Sequence, residues 1–230
     1  MRRTTLLISA MASFALLAGT AAAAKPSADY RFEGNFRSAV NGAKDLAPEG
    51  PVRVCPPCEE FDSENVQGKN DGVWRWPEGD GLRLGKAGKV LGHGGKTYTF
   101  SFLVNLDATS SYRKLVDFED REEDEGWYVY DESLYPYDLD DFDYSQQVIQ
   151  AGEWHQIVLT RDGRGFVRGY VDGELLGKDR DPNKHQALGN ADKLHFLIDD
   201  GGSEHSGGML ARLRIWENAL DKRQVKDLSD

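Results

Sequence analysis

The clearest pattern in the chain runs from Thr97 to Leu106. Tyr98, Phe100, Phe102, Val104 and Leu106 alternate with Thr97, Thr99, Ser101 and Asn105, and Leu103 alone breaks the rule. A period of two puts the apolar set on one face and predicts a half-buried strand. Glu153 to Gly177 holds three further β-like runs. Trp154 to Arg161, Phe166 to Val171 and Glu174 to Gly177 are strand-like runs separated by Asp162-Gly163-Arg164-Gly165 and Asp172-Gly173. Asp-Gly between apolar runs predicts type I′ hairpin turns, because both central residues need φ > 0.

Shorter strands are predicted at Ala28–Glu33, Val73–Trp76, Leu82–Leu84, Arg113–Phe118, Gly126–Asp131, Leu194–Ile198 and Met209–Trp216. Leu134-Tyr135-Pro136-Tyr137 reads as a sheet edge, since proline cannot donate to a ladder. Ala47 to Asn70 reads as a long loop with a strand fragment at most. Asp221 is placed to N-cap a short helix through Val225 and Leu228, covering one end of the fold. Short strands, frequent turn signals and almost no helix predict an all-β, two-sheet antiparallel sandwich with a short C-terminal helix.

Composition changes the picture at the N-terminus first. Arg2 and Arg3 precede an apolar run, Leu6 to Leu17, and then Ala22-Ala23-Ala24. That order predicts a secretory signal peptide over 1–24 and a single mature domain over 25–230, exported to the periplasm or beyond. The apolar run is too short to span a bilayer, and membrane insertion is not expected. The formal charge is −11. Thirteen acids face one arginine between Asp117 and Asp143, and the rest of the mature chain is close to neutral. Such a surface repels phosphate backbones, which excludes nucleic acid as a partner class. The two cysteines stand as Cys55-Pro56-Pro57-Cys58. In an exported protein a local disulfide is favoured, and the prolines argue against the helical setting of a redox C-x-x-C.

The meander Glu153–Arg161 followed by Gly169-Tyr170-Val171-Asp172-Gly173 resembles the W-H-x-V-x-x-x-R … Y-V-D-G core of laminin-G-like jelly rolls of the concanavalin A-like lectin/glucanase superfamily. Gly208–Leu220 is similar to that family's closing strand, and Tyr30–Asn35 to its opening one. The resemblance implies two antiparallel sheets in jelly-roll order and, in many members, a calcium ion at the sandwich rim. Many relatives carry an acid where this chain has Ala211.

Candidate chemistry is sparse. Glucanases need two carboxylates held at a set separation. The run Glu119 to Glu125 lacks the apolar alternation that would hold acids in a strand, so it reads as a solvated loop, and no catalytic residue is predicted. Aromatics crowd the acidic region, and exposed rings suit stacking on sugars while acids accept hydroxyl hydrogen bonds; Trp127, Tyr135 and Tyr137 are the candidate ligand contacts. Asp199, Asp200 and Glu204, on the loop before the last strand, are the candidate calcium ligands. The expected function is a secreted, non-catalytic module that recognises a glycan or an extracellular protein surface through rim loops. A glycan-active enzyme and a structural envelope-associated protein are the alternatives.

Overall fold

The computed structural model describes residues 24–50, 60–139, 142 and 145–229. Fourteen strands follow one another among these residues: β1 (Ala28–Tyr30), β2 (Ala47–Glu49), β3 (Glu60–Val66), β4 (Lys69–Trp76), β5 (Gly81–Gly85), β6 (Tyr98–Leu106), β7 (Tyr112–Asp117), β8 (Trp127–Tyr130), β9 (Ser133–Pro136), β10 (Trp154–Arg161), β11 (Phe166–Val171), β12 (Glu174–Arg180), β13 (Lys193–Phe196) and β14 (Gly208–Trp216). One α-helix follows, α1 (Lys222–Lys226). The strands form an eight-stranded sheet, ordered β12-β11-β10-β6-β14-β4-β3 with β1 also on β14, and a six-stranded sheet, ordered β2-β5-β13-β7-β8-β9. All pairings between these strands are antiparallel. The predicted all-β sandwich is therefore the observed one.

Alternation explains the core. Phe100 and Phe102 of β6 meet Phe196 of β13 edge-on across the sandwich, with ring centroids 5.8 and 6.0 Å apart. Leu82, Leu84, Leu115, Trp127, Val129 and Leu134 fill the same layer from the six-stranded sheet. The alternate positions of those strands (Arg83, Tyr128, Tyr130, Tyr135 and His195) are left to the outer face.

Three turns and one helix refine the sequence reading. Asp172 and Gly173 have φ of 50° and 82°, as a type I′ turn requires. In the other Asp-Gly loop only Gly165 is left-handed (φ 82°). There Asp162 acts through its side chain, accepting the N–H of Arg164 at 2.9 Å and of Phe166 at 3.1 Å. The stretch expected as loop from Ala47 to Asn70 contains β2, β3 and the start of β4. A two-residue turn joins β3 to β4, with Gln67 and Gly68 at φ 50° and 84°. The strand escaped detection because β3 is a sheet edge whose sequence, Glu-Phe-Asp-Ser-Glu-Asn-Val, is mostly polar. Helix α1 is N-capped by Asp221, which accepts from Gln224 N in a capping box. It buries Val225 against Val158, Tyr170 and Trp216, so it covers the outer face of the eight-stranded sheet instead of the end of the sandwich.

The expected signal peptide lies outside the described residues except for Ala24, whose carbonyl accepts from Trp216 Nε1 at 2.8 Å. Cys55 and Cys58 also lie outside them. No helix among the described residues is long and apolar enough to cross a membrane.

Candidate functional site

The outer face of the six-stranded sheet carries an unusual run of tyrosines. Tyr112 on β7 pairs with Tyr130 on β8, and Tyr128 on β8 pairs with Tyr135 on β9. Cross-strand neighbours on one face are within reach of each other, and aromatic pairs gain from it. Tyr112 and Tyr130 stack with centroids 4.4 Å apart, and Tyr112 meets Tyr135 edge-on at 5.4 Å. Tyr112, Tyr128, Tyr135, Tyr137, Asp124 and Glu204 enclose a cavity of about 130 Å³.

Beneath the rings lies a cation. Lys114 sits on β7 with a fully buried side chain, its ammonium 3.3 Å from Asp199, 3.6 Å from Asp117 and 3.8 Å from Asp124. It donates to the carbonyl of Glu125 at 2.9 Å and lies 4.1 Å from the centre of the Tyr128 ring. A bulge between Lys114 and Val116 in the β7–β8 pairing falls at this point. Bulges re-aim side chains in this way.

The loop from 197 to 207 supplies the rest. It begins where Leu197 takes a left-handed φ of 65° and ends β13. It is tied to β7 by Lys114 N donating to Glu204 O at 2.9 Å and by Arg113 donating to the carbonyl of His205 at 2.6 Å. Burial alone would raise Asp199, but the Lys114 ammonium and the N–H groups of Gly201 and Asp200 outweigh it and hold that carboxyl low. Glu204 has no such cation of its own. Burial, then the neighbouring Asp124 and Asp199, push it up to about 7. Asp117 is also pushed up by burial, with Lys114 opposing. His205 accepts the N–H of Asp199 at Nδ1, and burial moves its pKa down. The same loop forms one wall of a second, larger cavity of about 590 Å³, with Glu78, Arg121, Asp200 and His205 on its lining.

A second ionic cluster occupies the other half of this face. His195 Nδ1 lies 2.6 Å from Glu49 and Nε2 lies 2.9 Å from Asp120. Both ring nitrogens can donate only in the imidazolium form. Glu49 also takes Arg83 at 2.7 Å, and Asp120 takes Lys193 at 2.6 Å. For both carboxyls burial acts upward, and the neighbouring cations outweigh it and hold them below the usual range.

The sequence candidates divide accordingly. Tyr135 and Tyr137 line the smaller cavity. Trp127 does not: it is fully buried, with its indole N–H donated to Tyr98 Oη at 3.1 Å. It precedes Tyr128 by one residue, and a shift of one residue on a strand is a change of face. Asp199 and Glu204 are brought together with Asp124, one oxygen from each lying within 4.8 Å of the others. Asp200 is exposed and stands outside that group, its place taken by Asp124. Ala211 is remote from the cluster, packed with Val66 and Val73 on the eight-stranded sheet. The acidic run is a loop as expected, yet it is anchored. Asp117 accepts the N–H groups of Glu119 and Arg121, Asp120 and Arg121 are both left-handed, Asp124 accepts from the Tyr128 hydroxyl, and Glu125 is bonded to His185. Sequence reasoning missed Tyr112, Asp124 and Lys114 as site residues. The parity of Tyr128, Tyr130 and Tyr135 with their apolar neighbours was a usable signal for the tyrosine face.

A family model described as the concanavalin A-like lectin/glucanases superfamily matches residues 78–226. Among solved structures, domain 4 of AbnA, a GH43 extracellular arabinanase from Geobacillus stearothermophilus solved with arabinotriose, superposes with a TM-score of 0.65 at 17% identity, covering 90% of this chain and 98% of that one. The binding domain of Paraclostridial Mosquitocidal Protein 1 gives 0.60 at 13% identity, over 89% of this chain and 51% of that one. The botulinum neurotoxin serotype D ligand-binding domain, solved with N-acetylneuraminic acid, gives 0.55 at 10%, over 89% and 50%. This chain thus spans about half the length of the two toxin domains. At these identities the likeness is one of fold. No curated protein matches the chain.

Proposed function

Because the chain belongs to the concanavalin A-like lectin/glucanase superfamily, whose fold carries many functions, its own surface must decide the activity, and we propose that it is a secreted, non-catalytic module that binds a glycan on the tyrosine face of the six-stranded sheet. The observation that carries this reading is the cavity walled by Tyr112, Tyr128, Tyr135 and Tyr137 with Asp124 and Glu204 beside them. Aromatic rings offer flat apolar surface with a polar tip, and carboxylates accept hydroxyl hydrogen bonds; together they suit a sugar. The cavity of about 590 Å³ on the same loop has the size of an ordinary ligand site and extends the surface available to a longer saccharide. Extracellular placement is supported by the predicted leader, and the arabinanase whose domain 4 shares this fold is itself extracellular.

A hydrolytic reading has one observation in its favour. Glu204, at about 7, stands beside ionised Asp199, and a protonated acid next to a carboxylate is the glycosidase arrangement. Access counts against it. Asp199 is 2% exposed and its carboxylate faces Lys114, so it cannot approach an anomeric carbon. Calcium fares similarly. Asp124, Asp199 and Glu204 have the chemistry of a hard-cation site. Lys114 already faces two of the three, and its ammonium would have to leave for a dication to enter, so these residues do not fit a calcium ion as the protein stands.

The test is calorimetric titration of the full chain with arabino-, cello- and chito-oligosaccharides, repeated on Tyr135→Ala. Loss of one stacking ring should weaken binding about tenfold, or ~1.4 kcal/mol. Unchanged affinity in the variant, or turnover of any of these sugars by the wild type, contradicts the proposal.

A further inference from the structure

We propose that the tyrosine cavity selects a protonated amine, so that the glycan it prefers is an amino sugar with its nitrogen unacetylated. The inference rests on the glycan reading above and deepens it. It starts from Lys114. An alkylammonium is stable there although fully buried, because it lies against the Tyr128 ring and is surrounded by carboxylates. Cation–π attraction strengthens when water is excluded, and nearby carboxylates offset part of the cost of burying the charge. The cavity on the open side of the same cluster repeats the ingredients, with four tyrosine rings, the Asp124 carboxylate and the Glu204 carboxyl group.

The acids here exceed what Lys114 alone offsets, and the excess faces the cavity and not the buried carboxylate that Lys114 holds. Asp124, Asp199, Asp200 and Glu204 crowd this corner, and Lys114 is the one ammonium among them. Asp199 Oδ1 is buried and accepts no hydrogen bond, so Lys114 at 3.3 Å is what balances it. Asp124 has a side chain 58% exposed and reaches the opening. An anionic sugar would meet this potential as repulsion and a neutral one would leave it uncompensated, whereas an ammonium would relieve it.

Size points the same way. A volume of about 130 Å³ equals roughly four water molecules. That admits the amino-bearing edge of one sugar ring, with the rest of the chain lying outside. Acetylation would both remove the charge and enlarge the group.

The experiment titrates the full chain with the tetrasaccharides of glucosamine, N-acetylglucosamine and glucose at about pH 6.5, where a sugar amine is largely charged. Nα-acetyl-lysine amide is the non-sugar arm. The glucosamine tetrasaccharide should bind about tenfold tighter than either other sugar. Raising salt from about 50 to about 300 mM should narrow that gap, because the discriminating term is ionic. In Asp124→Asn the preference should fall to about twofold, and in Tyr135→Ala all sugars should weaken together. Circular dichroism and melting establish that each variant is folded. Equal or tighter binding of the acetylated or neutral sugar overturns the amine inference and leaves the glycan reading standing. Failure of all three sugars to bind overturns both. Binding of acetyl-lysine amide as tightly as the amino sugar overturns the sugar assignment, because the occupant would then be a protein lysine.

Discussion

Two clusters of cations and carboxylates lie on the same face of the six-stranded sheet, and they are built differently. Around His195 every acid has a cation. Each imidazole nitrogen meets one carboxylate, and those carboxylates take Arg83 and Lys193 on their other side. No acid is left over, and the cluster joins β2, β13 and the acidic loop as a fastening would. Around Lys114 the acids outnumber the cation, burial and then the neighbouring Asp124 and Asp199 drive Glu204 up to about 7, and a tyrosine cavity opens beside the excess. A cluster whose acids all hold cations is a structural solution. Unbalanced charge next to aromatic surface is what a binding site leaves for its ligand.

The largest expected effect removes the cation from the unbalanced cluster. Lys114→Met leaves Asp199 and Asp117 buried without a counter-charge. Breaking a buried pair from one side costs roughly 3–5 kcal/mol. Urea unfolding at neutral pH should show this loss, and acidification that protonates the carboxylates should shrink it. A loss below about 1 kcal/mol would mean that water reaches the ammonium and that the cluster is not the dry site described.

The balanced cluster should tolerate more. In His195→Ala, Glu49 keeps Arg83 and Asp120 keeps Lys193, and both carboxylates are partly exposed. The expected cost is about 1–2 kcal/mol by the same unfolding measurement, with faster amide exchange across the acidic loop. If His195→Ala costs as much as Lys114→Met, the distinction between the two clusters fails.

The smallest effect concerns Glu204 and has a definite sign. Its folded pKa, about 7, lies above the ordinary 4.5, so the folded state holds a proton that the unfolded state has released. The stability linked to that proton is complete below about pH 4.5 and is lost as the pH rises through about 7. The groups facing it are Asp124, Asp199, Asp200 and Lys114. Glu204→Gln should therefore flatten the dependence of melting temperature on pH across this window. At about pH 8 the variant should be slightly more stable than wild type, by less than ~1 kcal/mol because the group is partly solvated. A Gln variant less stable than wild type at that pH would show that ionised Glu204 is stabilised by a partner.

Local alternation determined most of the architecture. The Thr97–Leu106 pattern became the central strand β6, the Asp172-Gly173 turn formed as read, and the edge role of β9 followed from Pro136. Period two is a local property, and it reports which side chains share a face without reference to the rest of the molecule. The same parity sets Trp127 in the core and Tyr128 on the outer face. What it could not report is which distant charges meet. Lys114 reads as a solvated strand residue, and Asp124 as one acid in a run of seven positions. Only packing brings the lysine under a tyrosine ring beside Asp199, and carries His195 to Glu49 across 146 residues and to Asp120 across 75. Charges taken out of water must find partners or lose their charge, and those partners come from whichever elements the sandwich places nearby. The strands were legible because their chemistry is local, and the site was not because its electrostatics are assembled at a distance.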